Sequence, residues 1–160
     1  MKTILAPIDF SRITGAVVDE AVTLAKAVDG RVVLLAVTQP PVVMSEYAAM
    51  MDIAELTAAG EKNAARQLEK IEEKIKPLAV NTESVQLVGS PVTHIVDQAT
   101  KFEADYIVMG SHGHTAFYDL LVGSTTHGVL KRARCPVVIV PAAKEGNREV
   151  RRSSRRAAVA

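Results

Sequence analysis

Residues 106–141, YIVMGSHGHTAFYDLLVGSTTHGVLKRARCPVVIVP, decide the fold. The stretch begins with an apolar run typical of a buried strand, Tyr106 to Met109, and ends with a second one, Pro136 to Val140. Glycines punctuate the sequence between them with the spacing G-x2-G-x9-G-S, at Gly110, Gly113, Gly123 and Ser124. We predict a strand, a glycine-punctuated loop, a helix that begins at Ser124, and a second strand.

The three glycines suit a loop that holds a phosphate. Without a Cβ atom, Gly110 and Gly113 can adopt φ angles that a side chain penalises, and another group can lie against their backbone; Gly123 does the same before the helix. The first N–H groups of that helix have no intrahelical partner and, with the Ser124 hydroxyl, favour an anion. The alternative is a tight strand-to-helix connection with no ligand, but three glycines and Ser124 together favour phosphate binding.

The rest of the chain alternates between strand and helix patterns. Apolar or alternating runs predict strands over residues 3–8, 32–37 and 82–88. Helical spacing follows each run, with Ser11, Asp52 and Ser90 near the predicted helix starts and Gly30 closing the first helix. Five strands and four helices in alternation predict a doubly wound α/β domain over residues 1–143, with a parallel sheet and helices on both faces.

Asp9 follows the first strand, at the sheet edge where open α/β folds bind ligands. Its carboxylate can accept a hydrogen bond from a ribose or a base, or help to hold a metal, and the alternative is a cap for the next helix. If the first and fourth strands are neighbours, Asp9 and the glycine loop face one crevice. We therefore expect a nucleotide as the ligand, held by its phosphates at one end and by its base at the other.

Other phosphate-loop types and some partner classes are excluded. A Walker loop needs a lysine between its last glycine and Ser124, and a dinucleotide fingerprint needs glycines after the first strand; neither is present. Net charge is −3 over residues 1–143, which argues against nucleic-acid binding by the domain. The single cysteine, Cys135, indicates a reducing compartment, and we expect a cytoplasmic protein without a membrane span.

Three features leave alternatives open. The apolar stretch from Thr38 to Met51 fits a lid, a partner contact or a packed loop. His112 and His114 fit exposed loop residues near the phosphates or, less well, metal ligands, because no second ligand pair stands at a recognised spacing. The basic tail, residues 144–160, carries a net charge of +4. It fits disordered chain or a segment that docks on an acidic partner, lipid headgroups or nucleic acid.

These motifs resemble the universal stress proteins, specifically their ATP-binding branch. The resemblance rests on the glycine motif, on Ala6 to Asp9 and on Cys135 to Pro141, and it covers residues 1 to about 141. It implies the strand order 3-2-1-4-5 and bound ATP, with or without magnesium. It also implies a homodimer formed through the last strand, at Val137, Val138, Ile139 and Val140.

The resemblance also implies a role for each site residue. Pro7 and Asp9 flank the adenosine, the backbone of Val37 meets the adenine, and Met109 and Gly110 line the ribose side. The phosphates are held by Gly113, Gly123, Ser124 and Thr125, with His114 beside them. The motif contains no arginine or lysine before Lys131, so we expect a regulatory module for an unknown client with little or no turnover. The alternatives are a weak ATPase or nucleotidyl transferase, and a dimer scaffold without a ligand.

Overall fold

Five strands and four helices alternate along the part of the chain that the structure describes. The structure is a computed structural model and describes residues 1–40, 53–111 and 122–142. The elements are β1 Lys2–Ile8, α1 Thr14–Ala27, β2 Gly30–Thr38, α2 Ile53–Ile75, β3 Thr82–Val88, α3 Pro91–Lys101, β4 Tyr106–Gly110, α4 Ser124–Leu130 and β5 Val137–Val140. A short 3-10 turn, Lys76–Leu78, follows α2.

All five strands are parallel, in the order β3-β2-β1-β4-β5. Side chains of the central strands alternate between two apolar clusters, so both faces of the sheet are covered. Ile4 and Leu34 pack with α1 and α2 on one face, and Leu5 and Leu35 pack with α3 and α4 on the other. These four side chains are completely buried. The predicted fold class and strand order are confirmed.

Pro7 lies where β1 separates from β4. Alternate residues of a parallel strand bond to opposite neighbours. The Thr3 carbonyl accepts a hydrogen bond from the Asp105 N–H at 2.9 Å, so the odd residues of β1 face β4. Paired residues join β1 to β4 only as far as Leu5 with Ile107, whereas pairing with β2 continues to Ile8. Residue 7 would supply the next donor toward β4, and proline has none.

Helix α1 begins and ends differently from the prediction. It begins at Thr14 after Ile13, which makes no side-chain cap, and Ser11 contributes its carbonyl oxygen to the Thr14 N–H at 3.1 Å. At the other end the left-handed residue is Asp29, with φ 51°, and Gly30 already belongs to β2. Gly30 is needed for packing, because a Cβ atom there would lie 2.7 Å from the Lys2 carbonyl oxygen.

Charged and aromatic contacts close the amino edge of the sheet, where the strands begin. Asp105, before β4, accepts hydrogen bonds from the Lys2 ammonium at 2.6 Å and from the Thr3 N–H at 2.8 Å. The bond from Lys2 is the main cause of a lowered pKa for Asp105, and Asp105 in turn raises the pKa of Lys2. Arg31 donates to the Thr3 hydroxyl at 3.1 Å and lies 5.6 Å from the ring centre of Phe102.

Within residues 1–40, 53–111 and 122–142, no helix is both long and apolar enough to cross a bilayer.

Candidate functional site

A cleft of about 380 Å³ opens at the other edge of the sheet, where the strands end. We call it the carboxyl-edge cleft. The ends of β1, β2 and β4 form its floor, and the first turns of α1, α3 and α4 form its walls. Its lining residues are Pro7, Ile8, Asp9, Ile13, Thr14, Val17, Leu35, Val37, Gln39, Pro91, Ile95, Met109, Gly110, Gly123, Ser124, Thr125 and Thr126. Both apolar walls and hydrogen-bonding groups are therefore available to a ligand.

The cleft brings together residues from four parts of the sequence that were predicted to form one site. The predicted residues within the described ranges all line it: Pro7, Asp9, Val37, Met109, Gly110, Gly123, Ser124 and Thr125. The remaining two, Gly113 and His114, lie outside the described residues. The same holds for His112, for residues 41–52 of the apolar stretch and for the basic tail, so the alternatives raised for these segments stay open.

Val37 directs its backbone toward the cleft. It lies one residue beyond the last pair of β1 and β2, Ile8 with Ala36. The carbonyl of the next residue, Thr38, accepts a hydrogen bond from the Gly89 N–H at 2.9 Å, on the β3 side. Because neighbouring residues alternate, the Val37 carbonyl faces the β1 side, where no residue of β1 is paired with it. An amino group of a ligand in the cleft can donate to this carbonyl.

Asp9 holds a turn and borders the cleft at the same time. Its Oδ1 atom accepts a hydrogen bond from the Ser11 N–H at 2.9 Å, and Phe10 between them has a left-handed backbone with φ 60°. The turn sends the chain from β1 into α1. The alternative role considered for Asp9 is thus present in part: the carboxylate stabilises the turn before the helix, although it is not the N-cap residue. The side chain is also exposed at the cleft.

The start of α4 corrects the conformational argument for the glycines. Gly123 is the N-cap residue with φ −56° and ψ 154°, angles that other residues adopt readily. Gly110 is the last residue of β4 and is extended. A need for left-handed backbone angles therefore does not explain why glycine stands at either position. What remains is the missing side chain, which keeps the wall of the cleft open beside the first N–H groups of α4.

Thr126 is a site residue that the sequence reasoning missed. Its side chain is 3% exposed, and its hydroxyl donates to the Gly110 carbonyl oxygen at 2.9 Å. Gly110 points this carbonyl toward β1, from which β4 has already separated, so Thr126 replaces the missing strand partner and fixes α4 to β4. The Ser-Thr-Thr run after Gly123 was the available signal. Thr14, Gln39, Pro91 and Ile95 also line the cleft without having been predicted, because only the tertiary fold brings them there.

Neither the described histidines nor the cysteine lines the carboxyl-edge cleft. His94 Nε2 donates to the Val88 carbonyl oxygen at 3.0 Å and lies over Gly89, while His127 is exposed on α4. Cys135 is half-buried, and burial raises the pKa of its thiol. Within the described ranges, no three His, Cys, Asp or Glu side chains are grouped so that they could hold a metal ion.

Comparison with known proteins identifies the family. A model of the universal stress protein family matches residues 1–141. The chain belongs to the universal stress protein family. Universal stress protein MJ0531 of Methanocaldococcus jannaschii is 32% identical over 146 residues, which span 90% of this chain and 84% of that protein. Universal stress protein YxiE of Bacillus subtilis is 30% identical over 142 residues, 85% of this chain and 96% of the relative.

Solved structures of universal stress proteins share the fold. The structure of MJ0577 from Methanocaldococcus jannaschii superimposes with a TM-score of 0.79 at 28% identity, over 90% of this chain and 98% of that one. More distant members have been solved with nucleotides. One is in complex with cAMP, at 24% identity and TM-score 0.65, and one from Archaeoglobus fulgidus is in complex with dAMP, at 20% identity and TM-score 0.61. For this chain, these two likenesses show the fold alone.

Proposed function

We propose that this universal stress protein binds ATP in the carboxyl-edge cleft and acts as a nucleotide-dependent regulatory module with little or no turnover. The observation that carries the proposal is the convergence of Pro7, Asp9, Val37, the end of β4 and the start of α4 on one cleft. Its volume, about 380 Å³, lies within the range of roughly 300–1,000 Å³ that is usual for small-molecule sites.

The adenosine half of the ligand lies on the β1 and β2 side in this proposal. The carbonyl of Val37 accepts a hydrogen bond from the adenine amino group. Apolar atoms of Pro7 and Met109 contact the base and the ribose, and the Asp9 carboxylate accepts hydrogen bonds from the ribose hydroxyls. A carboxylate suits this role because ionised acceptors make the stronger hydrogen bonds.

The phosphates lie at the start of α4 in this proposal. The hydroxyls of Ser124 and Thr125 and the first N–H groups of the helix are the donors. Because α4 has only seven residues, its dipole is small, and these donors matter more than the helix field. Gly113 and His114 are proposed to complete the phosphate site. Magnesium, if it accompanies ATP, neutralises phosphate charge without any change in these roles.

The described lining residues support binding over hydrolysis. Among them Asp9 is the only carboxylate, and there is no lysine or arginine. Phosphoryl transfer needs a positioned base for water and cationic clamps on the transferred group. We therefore propose that ATP favours one conformation or assembly state that a client protein recognises. The single cysteine supports the further proposal that this occurs in the cytoplasm.

The test is a calorimetric titration of the full chain with ATP, ADP and AMP, with and without magnesium, followed by chromatography of the nucleotide. The proposal predicts saturable binding with ATP recovered intact. Release of ADP or AMP at a rate that is lost in Asp9→Ala would instead establish the weak enzyme. If no nucleotide gives a binding heat or raises the thermal stability, the remaining alternative is the dimer scaffold without a ligand.

We also propose a homodimer formed through β5, which is an edge strand with four half-buried side chains. Even-numbered residues of β5 bond to β4, since Pro136 and Val140 accept from Ile107 and Ser111. The backbone of Ile139 consequently points away from the sheet, toward a second copy. Ile139→Pro removes an outward N–H and leaves the bonds to β4. Light scattering should show a wild-type dimer and a folded variant monomer; a monomeric wild type at all concentrations would contradict the proposal.

A further inference from the structure

Helices α3 and α4 touch at a glycine that lies outside the motif. A Cβ atom built on Gly128 would be 2.8 Å from Cγ2 of Val92 and 3.0 Å from its Cγ1. Carbon atoms do not pack this closely, so a side chain at position 128 requires one helix to move. Val92 cannot easily turn away, because both of its Cγ atoms lie toward Gly128 and any staggered rotamer leaves at least one of them there.

Both helices border the carboxyl-edge cleft close to this contact. Val92 is next to Pro91, which lines the cleft together with Ile95. Gly128 lies four residues, about one helical turn, after Ser124. The separation of the two helices at Gly128 and Val92 therefore sets how far the start of α4 lies from the opposite wall.

The two helices are not equally free to move. The turn before α3 is held by the Gly89 N–H on the Thr38 carbonyl at 2.9 Å and by His94 on the Val88 carbonyl at 3.0 Å. Helix α4 is shorter, with seven residues against eleven. It is joined to the end of β4 by the Thr126 hydroxyl on the Gly110 carbonyl at 2.9 Å and by the Gly123 N–H on the Ser111 carbonyl at 2.8 Å. Because α4 is the shorter of the two helices, a group inserted between them will displace mainly α4, together with Ser124 and Thr125.

From this geometry we propose that Gly128 and Val92 form a positioning pair. Their close contact places the donors at the start of α4 at the distance that the phosphates of the bound nucleotide require. The proposal rests on the proposed function, because it explains how the phosphate end of the same nucleotide site is positioned. Neither residue touches the ligand; both act through Ser124 and Thr125.

The test uses four variants of the full chain: Gly128→Ala, Val92→Ala, the two combined, and Gly15→Ala as the matched control. Gly15 is also a helical glycine, and a Cβ atom there meets nothing within 4 Å. ATP affinity is measured by calorimetry, and thermal unfolding is recorded without nucleotide. Gly128→Ala should weaken ATP binding by about tenfold, because displaced hydroxyl and N–H donors make poorer hydrogen bonds to the phosphates. The combined variant and Gly15→Ala should bind as the wild type does.

Affinity measured at a temperature at which Gly128→Ala is fully folded distinguishes positioning from a general loss of stability. Val92→Ala leaves a space that the Cβ of residue 128 can occupy, so a positioning role predicts that affinity returns in the combined variant. Should Gly128→Ala fail to fold, Val92→Ala decides instead, because it removes the contact without a clash: weaker ATP binding by this folded variant supports the pair, and wild-type affinity overturns it. Unchanged affinity in Gly128→Ala, or no recovery in the combined variant, overturns the inference while the proposed function stands. A wild type that binds no nucleotide overturns the proposed function itself.

Discussion

The two ends of the same five strands are closed in different ways. At the amino edge, side chains from distant parts of the sequence bind one another: Lys2 with Asp105, and Arg31 with Thr3 and Phe102. At the carboxyl edge, side chains bond to the backbone. Asp9 accepts a hydrogen bond from the N–H of Ser11, two residues further on, and the Thr126 hydroxyl donates to the Gly110 carbonyl. One edge is joined across its strands, and the other is open around a cleft.

The difference suggests that stability and ligand binding are separated along the strands. Substitutions at the amino edge should change the free energy of unfolding and leave the response to ATP intact. Substitutions at the carboxyl edge should do the reverse. This separation can be tested by measuring each variant with and without ATP.

Gly123→Val should give the largest effect, the loss of the stabilisation by ATP. At an ATP concentration of 100 times Kd that stabilisation amounts to about 2.7 kcal/mol. Without ATP the variant should lose only about 1 kcal/mol, because φ −56° and ψ 154° suit a valine although valine is a poorer N-cap than glycine. Thermal unfolding with and without ATP measures both quantities. A valine variant that is still stabilised by ATP would show that this wall of the cleft does not contact the ligand.

Gly30→Ala should give the converse result at the amino edge. Its Cβ would lie 2.7 Å from the Lys2 carbonyl oxygen and 2.8 Å from Cδ1 of Ile4, and Ile4 is completely buried. Overpacking of this kind costs about 1–3 kcal/mol. Chemical denaturation should show that loss, while ATP still raises the stability of the variant by the wild-type amount. A loss of ATP binding would mean that the two edges are coupled.

Asp9→Ala and Asp9→Asn separate the two roles of that carboxylate. The alanine variant loses the acceptor for the Ser11 N–H and the proposed acceptor for the ribose, and we expect about tenfold weaker ATP binding, or about 1.4 kcal/mol. The asparagine variant retains an oxygen for Ser11 but loses the charge, so its affinity should be intermediate and its stability close to wild type. Calorimetry supplies the affinities. Wild-type affinity in both variants would remove Asp9 from the site.

Asp105→Asn should give the smallest effect, and one that depends on pH and salt. The asparagine oxygen can still accept from the Thr3 N–H, so the substitution isolates the pairing with Lys2. Because the pKa of Asp105 is lowered in the folded chain, its contribution is present above the ordinary pKa and is lost as the pH falls through the lowered value. Thermal unfolding should therefore show a weaker acid dependence in the variant. Equal pH profiles would assign the pair no role in stability.

Much of the fold was predictable because local patterns agreed with one another. Strands buried on both faces produce continuous apolar runs, as β1 and β2 do, and alternation predicted β3 with its observed bounds, Thr82–Val88. The start of α3 at Ser90 and Pro91 and the start of α4 at Ser124 also followed from local residues. The residues around the cleft could be assembled because the carboxyl ends of parallel strands meet at one edge.

The remaining features depend on contacts that no local pattern contains. Gly30 was predicted to close α1. The structure shows instead that glycine is needed there because a Cβ atom would collide with the Lys2 carbonyl oxygen on the neighbouring strand. Lys2 and Asp105 are 103 residues apart in the chain, and nothing near either residue indicates the other. Likewise, the glycine motif identified a wall of the cleft correctly, whereas the reason given for Gly110 and Gly123 required backbone angles that only a structure provides.

A missing N–H group at Pro7 contributes to the opening between β1 and β4. Proline at position 7 allows β1 to continue beside β2 while it ends the bonding toward β4. The separation of the two strands is consequently favoured by the sequence itself, before any ligand binds. A ligand therefore enters an opening that has already formed. The conformational entropy of forming it is lost when the chain folds and not when the ligand binds.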